Sequence, residues 1–114
     1  MKSNELRIGN FTKQGEVKSF VENGIHVGFG KCYNFNELEP MPLTEEWLFK
    51  FGFEYNNSTY EWYDKSAVFF IQMNYLGFDL IAKFKNERIK EIKYVHQLQN
   101  LYFALTNEEL ELKK

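Results

Sequence analysis

The sequence predicts an α+β fold: a mainly antiparallel sheet with a short central helix and a longer C-terminal helix. Three observations carry this expectation. Apolar residues alternate at strand spacing, as in Ile25, Val27, Phe29 and again in Phe78, Leu80, Ala82, Phe84. Short polar or glycine-bearing breaks suited to tight turns separate such runs. Helical signals are confined to two stretches, near Thr44–Phe51 and Tyr94–Leu105.

From Leu6 to Phe29 the chain reads as short strands, with turn chemistry at Gln14-Gly15 and Asn23-Gly24. Asn-Gly suits both central positions of a type I′ turn, which demand positive φ, so a hairpin is expected over about residues 17–30. Lys31 to Met41 has no clear period and leads to Pro40 and Pro42, as a connection would. A helix then follows. Thr44 is its expected N-cap, Glu45 and Glu46 complement the positive end of the dipole, and Leu43 and Leu48 occupy staple positions. Gly52 should stop it in a left-handed conformation, bringing Phe53 back towards Leu48 in a Schellman-type end. Two turns are too few to stand alone in water, so Trp47, Leu48 and Phe51 must pack on the sheet.

Phe53 to Phe84 reads as an antiparallel meander with turns at Asn56-Asn57-Ser58, Asp64-Lys65-Ser66 and around Gly77. The unbroken run Val68-Phe69-Phe70-Ile71 suits a central strand covered on both faces. A last hairpin is expected to turn at Asn86-Glu87 and bring in Ile89. In the closing helix Val95, Leu98, Leu101, Tyr102 and Leu105 form one apolar stripe, Phe103 lies opposite near His96, Gln99 and Asn100, and Asn107 offers a left-handed stop.

The 114 residues fit a single domain, 1–114, able to bury roughly 65% of the surface its unfolded form exposes. Hydrophobic residues at 44% and aromatics at 18% supply a sheet-rich core, or in part an aromatic surface kept for a partner. A net charge of −2 advertises neither nucleic acid nor an anionic membrane, so any basic site must be local. The start MKSNELRIGN has no apolar leader and no run approaches the roughly 20 apolar residues of a membrane span. A single cysteine, Cys32, excludes an internal disulfide framework, and a cytoplasmic protein without membrane contact is expected.

Catalysis, a metal site and a cofactor are not expected. The two histidines, His26 and His96, lack His-x-x-x-His or Cys-x-x-Cys company. A Cys32/His pair could meet only in space, and nothing around Cys32 reads as a nucleophile motif. Gly28-Phe29-Gly30-Lys31 fails the phosphate-loop spacing and has Cys32 where a hydroxyl residue belongs, so its glycines suit a bulge or close packing. Glu45-Glu46 answers a helix dipole, and Glu108, Glu109 and Glu111 read as a solvated tail.

Two binding readings remain. Lys83, Lys85, Arg88, Lys90 and Lys93 outnumber Glu87 and Glu91 and would position an RNA or DNA backbone if several of them share an outer surface; otherwise they form a lysine-rich edge that resists aggregation. Phe103 with His96 and Asn100 would form an aromatic anchor in a polar rim for a protein partner, unless Leu110 and its neighbours cover it.

The segments ELRIGN (Glu5 to Asn10), PLTEEWLFKFGF (Pro42 to Phe53) and YVHQLQNLYFALTNEEL (Tyr94 to Leu110) resemble a family of small proteins carried by bacteriophages and prophages. The chain looks similar to anti-CRISPR inhibitors of a type VI-B RNA-targeting nuclease. The resemblance implies a nuclease inhibitor in the host cytoplasm, its partner the host CRISPR nuclease or its guide-RNA complex, acting as a monomer or small homo-oligomer. It carries no catalytic residue, since Leu6, Ile8, Gly9, Leu43, Trp47, Gly52, Leu98, Leu101 and Leu105 read as fold determinants. The alternative within the same family is a structural or assembly accessory protein of a phage particle.

Overall fold

The structure is a computed structural model that describes residues 1–73, 80–85 and 87–112. It is α+β, with antiparallel strands throughout the described residues. The chain forms two compact units, each assembled from two stretches: Met1–Pro42 with Tyr94–Asn100, and Leu43–Lys93 with Leu101–Lys114. No helix among the described residues is long and apolar enough to cross a membrane.

The first unit holds a short hairpin of β1 (Phe11–Thr12) and β2 (Gly15–Glu16), then a three-stranded sheet of β3 (Ser19–Val21), β4 (Gly24–Gly28) and β5 (Lys31–Asn34) in the order β3-β4-β5. Phe20, Ile25 and Tyr33 lie in one cross-strand row and so point to one face. On that face Ile25 is fully buried among Leu6, Val17 and Leu38, with Val27, Tyr33 and Phe35 packed around them. The opposite face carries the row Ser19, His26, Cys32.

Two expectations are corrected here. Val21 pairs with Gly24, so the first turn is Glu22-Asn23, and only Asn23 of the two has positive φ, at 62°. Asn23-Gly24 is therefore not a type I′ centre; Gly24 is a strand residue, and a Cβ there would collide with the carbonyl oxygen of Tyr33. Nor is Lys31–Met41 a bare connection. Its first residues form β5, whose turn from β4 is Phe29-Gly30, and a 3-10 turn follows at Phe35–Glu37.

The second unit begins with α1 (Glu45–Lys50), whose ends match the sequence expectation. Thr44 Oγ1 accepts from the Trp47 amide, and Gly52, at φ 85°, lets its own amide reach the Phe49 carbonyl while the Phe53 amide reaches Leu48. Leu48 and Phe51 are buried and Trp47 half-buried, the face this short helix needed.

A five-stranded sheet follows: β6 (Glu54–Asn56), β7 (Glu61–Tyr63), β8 (Phe69–Met73), β9 (Leu80–Phe84) and β10 (Glu87–Ile92), in the order β10-β9-β8-β7-β6. The apolar run is the central strand, as expected. It is sealed on one face only, where Phe69 and Ile71 are fully buried, while Phe70 and Gln72 are half-buried. Phe69 meets Phe53 edge-on at 6.3 Å and Tyr102 at 5.2 Å, an aromatic cluster at the centre of this unit's core. The expected turn at Gly77, with Phe78, and Asn86 of the last turn lie outside the described residues; Glu87, expected in that turn, is instead a strand residue paired with Phe84.

The closing helix α2 (Val95–Thr106) gives its first half to the first unit and its second half to the other. Gln97 Oε1 accepts from the Tyr94 amide at its start, and Asn107, at φ 61°, ends it as predicted. Val95, Leu98 and Tyr102 are buried, whereas Leu101 and Leu105 are half-buried.

Candidate binding surfaces

Gln99 and Asn100, expected on the outside of α2, are bonded within the first unit. Gln99 donates to the Gly9 carbonyl at 2.9 Å and accepts from the Phe11 amide at 3.0 Å. Asn100 Oδ1 accepts from Asn10 at 2.9 Å and Arg7 at 3.1 Å, and its amide donates to the Glu5 carbonyl. ELRIGN and the first turns of the closing helix are thus tied by one hydrogen-bonded network. The expected exposed rim is corrected: His96 and Gln99 are buried and Asn100 half-buried, Gln99 and Asn100 because the Glu5–Phe11 segment supplies their partners and His96 beneath Tyr94 and the Glu5 side chain. Phe103, in the second unit, is half-buried. Ile8, expected as a fold determinant, is exposed.

His96 is 3% exposed, stacks on Tyr94 and has Nε2 3.8 Å from the Glu5 carboxylate; its Nδ1 is buried without a hydrogen-bond partner among the described residues. Burial pushes its pKa below the ordinary 6.5, and the Glu5 charge only partly offsets this. The sign follows. Below about pH 6.5 the unfolded chain takes up a proton that the folded protein refuses until lower pH, so stability falls with pH in that window, by at most about 1.4 kcal/mol per unit. Urea unfolding between pH 7.5 and 5 should show this loss, and His96→Gln should flatten it. A slope unchanged by His96→Gln would remove His96 from the account.

The five cations do not share one surface. Lys83 and Arg88 are cross-strand partners on the outer face of the sheet, where Lys83 Nζ is held 2.9 Å from Glu61. Register shifts between Arg88 and Lys90, which pairs with Ala82 and stands on the other face. Ile89, expected inward, is exposed at this bulge, whereas Ile92 is buried. Lys85, at φ 51°, sits 5.4 Å over the Phe84 ring. Lys85, Arg88, Lys90 and Lys93 are exposed along the β9–β10 edge, accompanied by exposed Glu87 and Glu91.

His26 and Cys32 do meet, as cross-strand partners on the polar face of the first unit's sheet, with Cys32 exposed. Among the described residues no group of three or more His, Cys, Asp or Glu side chains is placed to hold a metal.

Two features were not anticipated. Phe29 is fully exposed at the tip of the β4–β5 hairpin, with φ 54° followed by Gly30 at 73°, the signs a type I′ turn requires. Its signal lay in the sequence as Gly28-Phe29-Gly30, an aromatic residue between two glycines at the end of a strand pattern. In the second unit a cleft of about 580 Å³ is lined by Phe51, Tyr102 and Leu110 and by Asp64, Lys65 and the glutamates 108, 109 and 111. Asp64 is buried at its inner end and accepts from the Tyr102 hydroxyl at 2.9 Å. That residue was visible only as a turn former, since its partner lies 38 positions away.

No protein-family model, curated protein or solved structure matches the chain.

Proposed function

We propose that the protein acts by binding rather than by catalysis, as a phage-borne inhibitor that occupies a type VI-B RNA-targeting nuclease or its guide-RNA complex. The observation that carries this reading is the β9–β10 edge, where Lys85, Arg88, Lys90 and Lys93 stand exposed within nine residues. An edge strand bearing cations on both sides of its sheet suits an RNA backbone running along it, since phosphate contact needs charge and reach but no shared plane. Lys83, already paired with Glu61, serves the sheet.

The test is target-RNA cleavage by the reconstituted nuclease with the protein titrated in before and after guide loading. Saturation near equimolar protein is expected. Reversing Lys85, Arg88 and Lys90 together to glutamate should weaken inhibition by tenfold or more and flatten its salt dependence. Full inhibition with an unchanged salt slope would remove RNA contact; no inhibition by the native protein would remove the nuclease.

The second reading, an assembly accessory of a phage particle, is favoured by the uncovered Phe29.

A further inference from the structure

We propose that the protein associates head-to-tail with further copies of itself, the Phe29-Gly30-Lys31 turn of one copy seating in the cleft of the second unit of the next. It rests on the assembly reading and is independent of the nuclease.

The turn is built to present an aromatic ring. A type I′ centre favours asparagine or glycine at its first position because both φ angles are positive, and a bulky side chain is strained there. The first centre here is phenylalanine, at φ 54°, with its ring uncovered. Gly28 at φ 99° and Gly30 at φ 73° flank it, with open space on the Cβ side of each, so the tip projects clear of its own unit. Strain held at an exposed apolar side chain points to a contact made elsewhere.

The cleft fits that knob in size and charge. Its volume of about 580 Å³ leaves room for a phenyl ring and the stem of a lysine, against Phe51, Tyr102 and Leu110. The Asp64 carboxylate inside already accepts from Tyr102, Ser66 and two backbone amides. It therefore presents a satisfied group to an incoming ring rather than an open acceptor. At the rim Glu108 and Glu111 are exposed and carry negative charge for Lys31, the exposed cation beside the ring; among the described residues Lys65 is the single opposing cation of the lining. A base-stacking role for Phe29 would instead need a cationic groove. The tip offers Lys31 alone within its Gly28–Lys31 stretch.

Knob and hole are different surfaces of the chain, so the contact is heterologous and extends into rings or open chains. One ring in one cleft buries well under the roughly 1,000 Å² of a stable interface, so the association is transient and rises with concentration.

Sedimentation velocity of the full chain from about 5 µM to 1 mM, at low and high salt, tests this. The native protein should sediment faster as concentration rises, less so at high salt. Phe29→Asn should remain monomeric while its melting temperature rises by about 4 °C, since Asn-Gly relieves the turn. Lys31→Glu and the double variant Glu108→Lys/Glu111→Lys should each be monomeric alone, and mixing the two should restore association between them. A native protein monomeric at 1 mM overturns the proposal, as does Phe29→Asn that associates like the native chain. Failure of the charge-swapped mixture with both variants folded removes the cleft as the receptor.

Discussion

Replacing Asp64 by alanine is expected to cost about 3–5 kcal/mol, a large part of the 5–15 kcal/mol that keeps a domain of this size folded. The carboxylate is 4% exposed and accepts four hydrogen bonds, from the Tyr102 hydroxyl, the Ser66 hydroxyl and the amides of Val68 and Phe69. Those donors join the turn after β7, the start of β8 and the second half of α2, all within one unit. Alanine leaves the Tyr102 hydroxyl and the Phe69 amide unpaired at buried sites, at about 1–3 kcal/mol each. Ser66 and Val68, partly exposed, can turn to water at less cost. Burial first, and then the neighbouring carboxylate, hold the Tyr102 phenol above its ordinary pKa of 10, so it remains a donor at any physiological pH. Two variants grade the effect. Asp64→Asn keeps an oxygen for the amides and turns its NH₂ towards Tyr102, whose oxygen can accept; a loss near 1–2 kcal/mol is expected. Tyr102→Phe removes one donor and leaves three, for about 1 kcal/mol. Urea midpoints of the three variants check the order, and an alanine variant no weaker than Tyr102→Phe would show that the carboxylate does not organise the unit.

That role was not legible in Asp64-Lys65-Ser66, because a turn aspartate is identified by its neighbours and its principal donor comes from a helix 38 positions later. Local chemistry was legible where partners are close in sequence. Thr44 to Trp47 and Gly52 to Phe49 are contacts of three residues, and both ends of α1 follow from them. The run Val68–Ile71 was legible as a central strand but not as a half-covered one: a run without alternation implies cover on both faces, whereas Phe69 and Ile71 are sealed and Phe70 is only half-buried. The face of α2 bearing His96, Gln99 and Asn100 was misjudged for the opposite reason. Polar side chains at helical spacing resemble a solvated rim until the carbonyls of Glu5 and Gly9 and the amide of Phe11 arrive to bond Asn100 and Gln99. Periodicity reports hydrophobicity, not satisfied polarity. The β9–β10 cations were legible as a charge excess, but the bulge that parts Arg88 from Lys90 carries no compositional mark.

Gly24→Ala should be as damaging as the loss of a buried aromatic, about 3 kcal/mol or more, although it adds one methyl group. Two different demands can make a glycine necessary, and the chain separates them. At Gly52 the demand is conformational: φ is 85° and the space around an added Cβ is open, so alanine should cost about 1 kcal/mol through the left-handed backbone alone. At Gly24 the demand is steric. The added Cβ would strike the carbonyl oxygen and carbon of Tyr33 and approach the Cα of Asn34, which are backbone atoms and cannot swing aside like a side-chain tip. Relief requires β4 and β5 to part where Gly24 pairs with Asn34, one step from the Ile25–Tyr33 pair. Ile25 is fully buried in the first unit's core, so the displacement is transmitted into packing that tolerates little. Comparing Gly24→Ala with Gly52→Ala by thermal unfolding isolates the steric part. Equal, small losses would mean that the two strands separate without cost to the core, and the close approach at Tyr33 would then have no structural consequence.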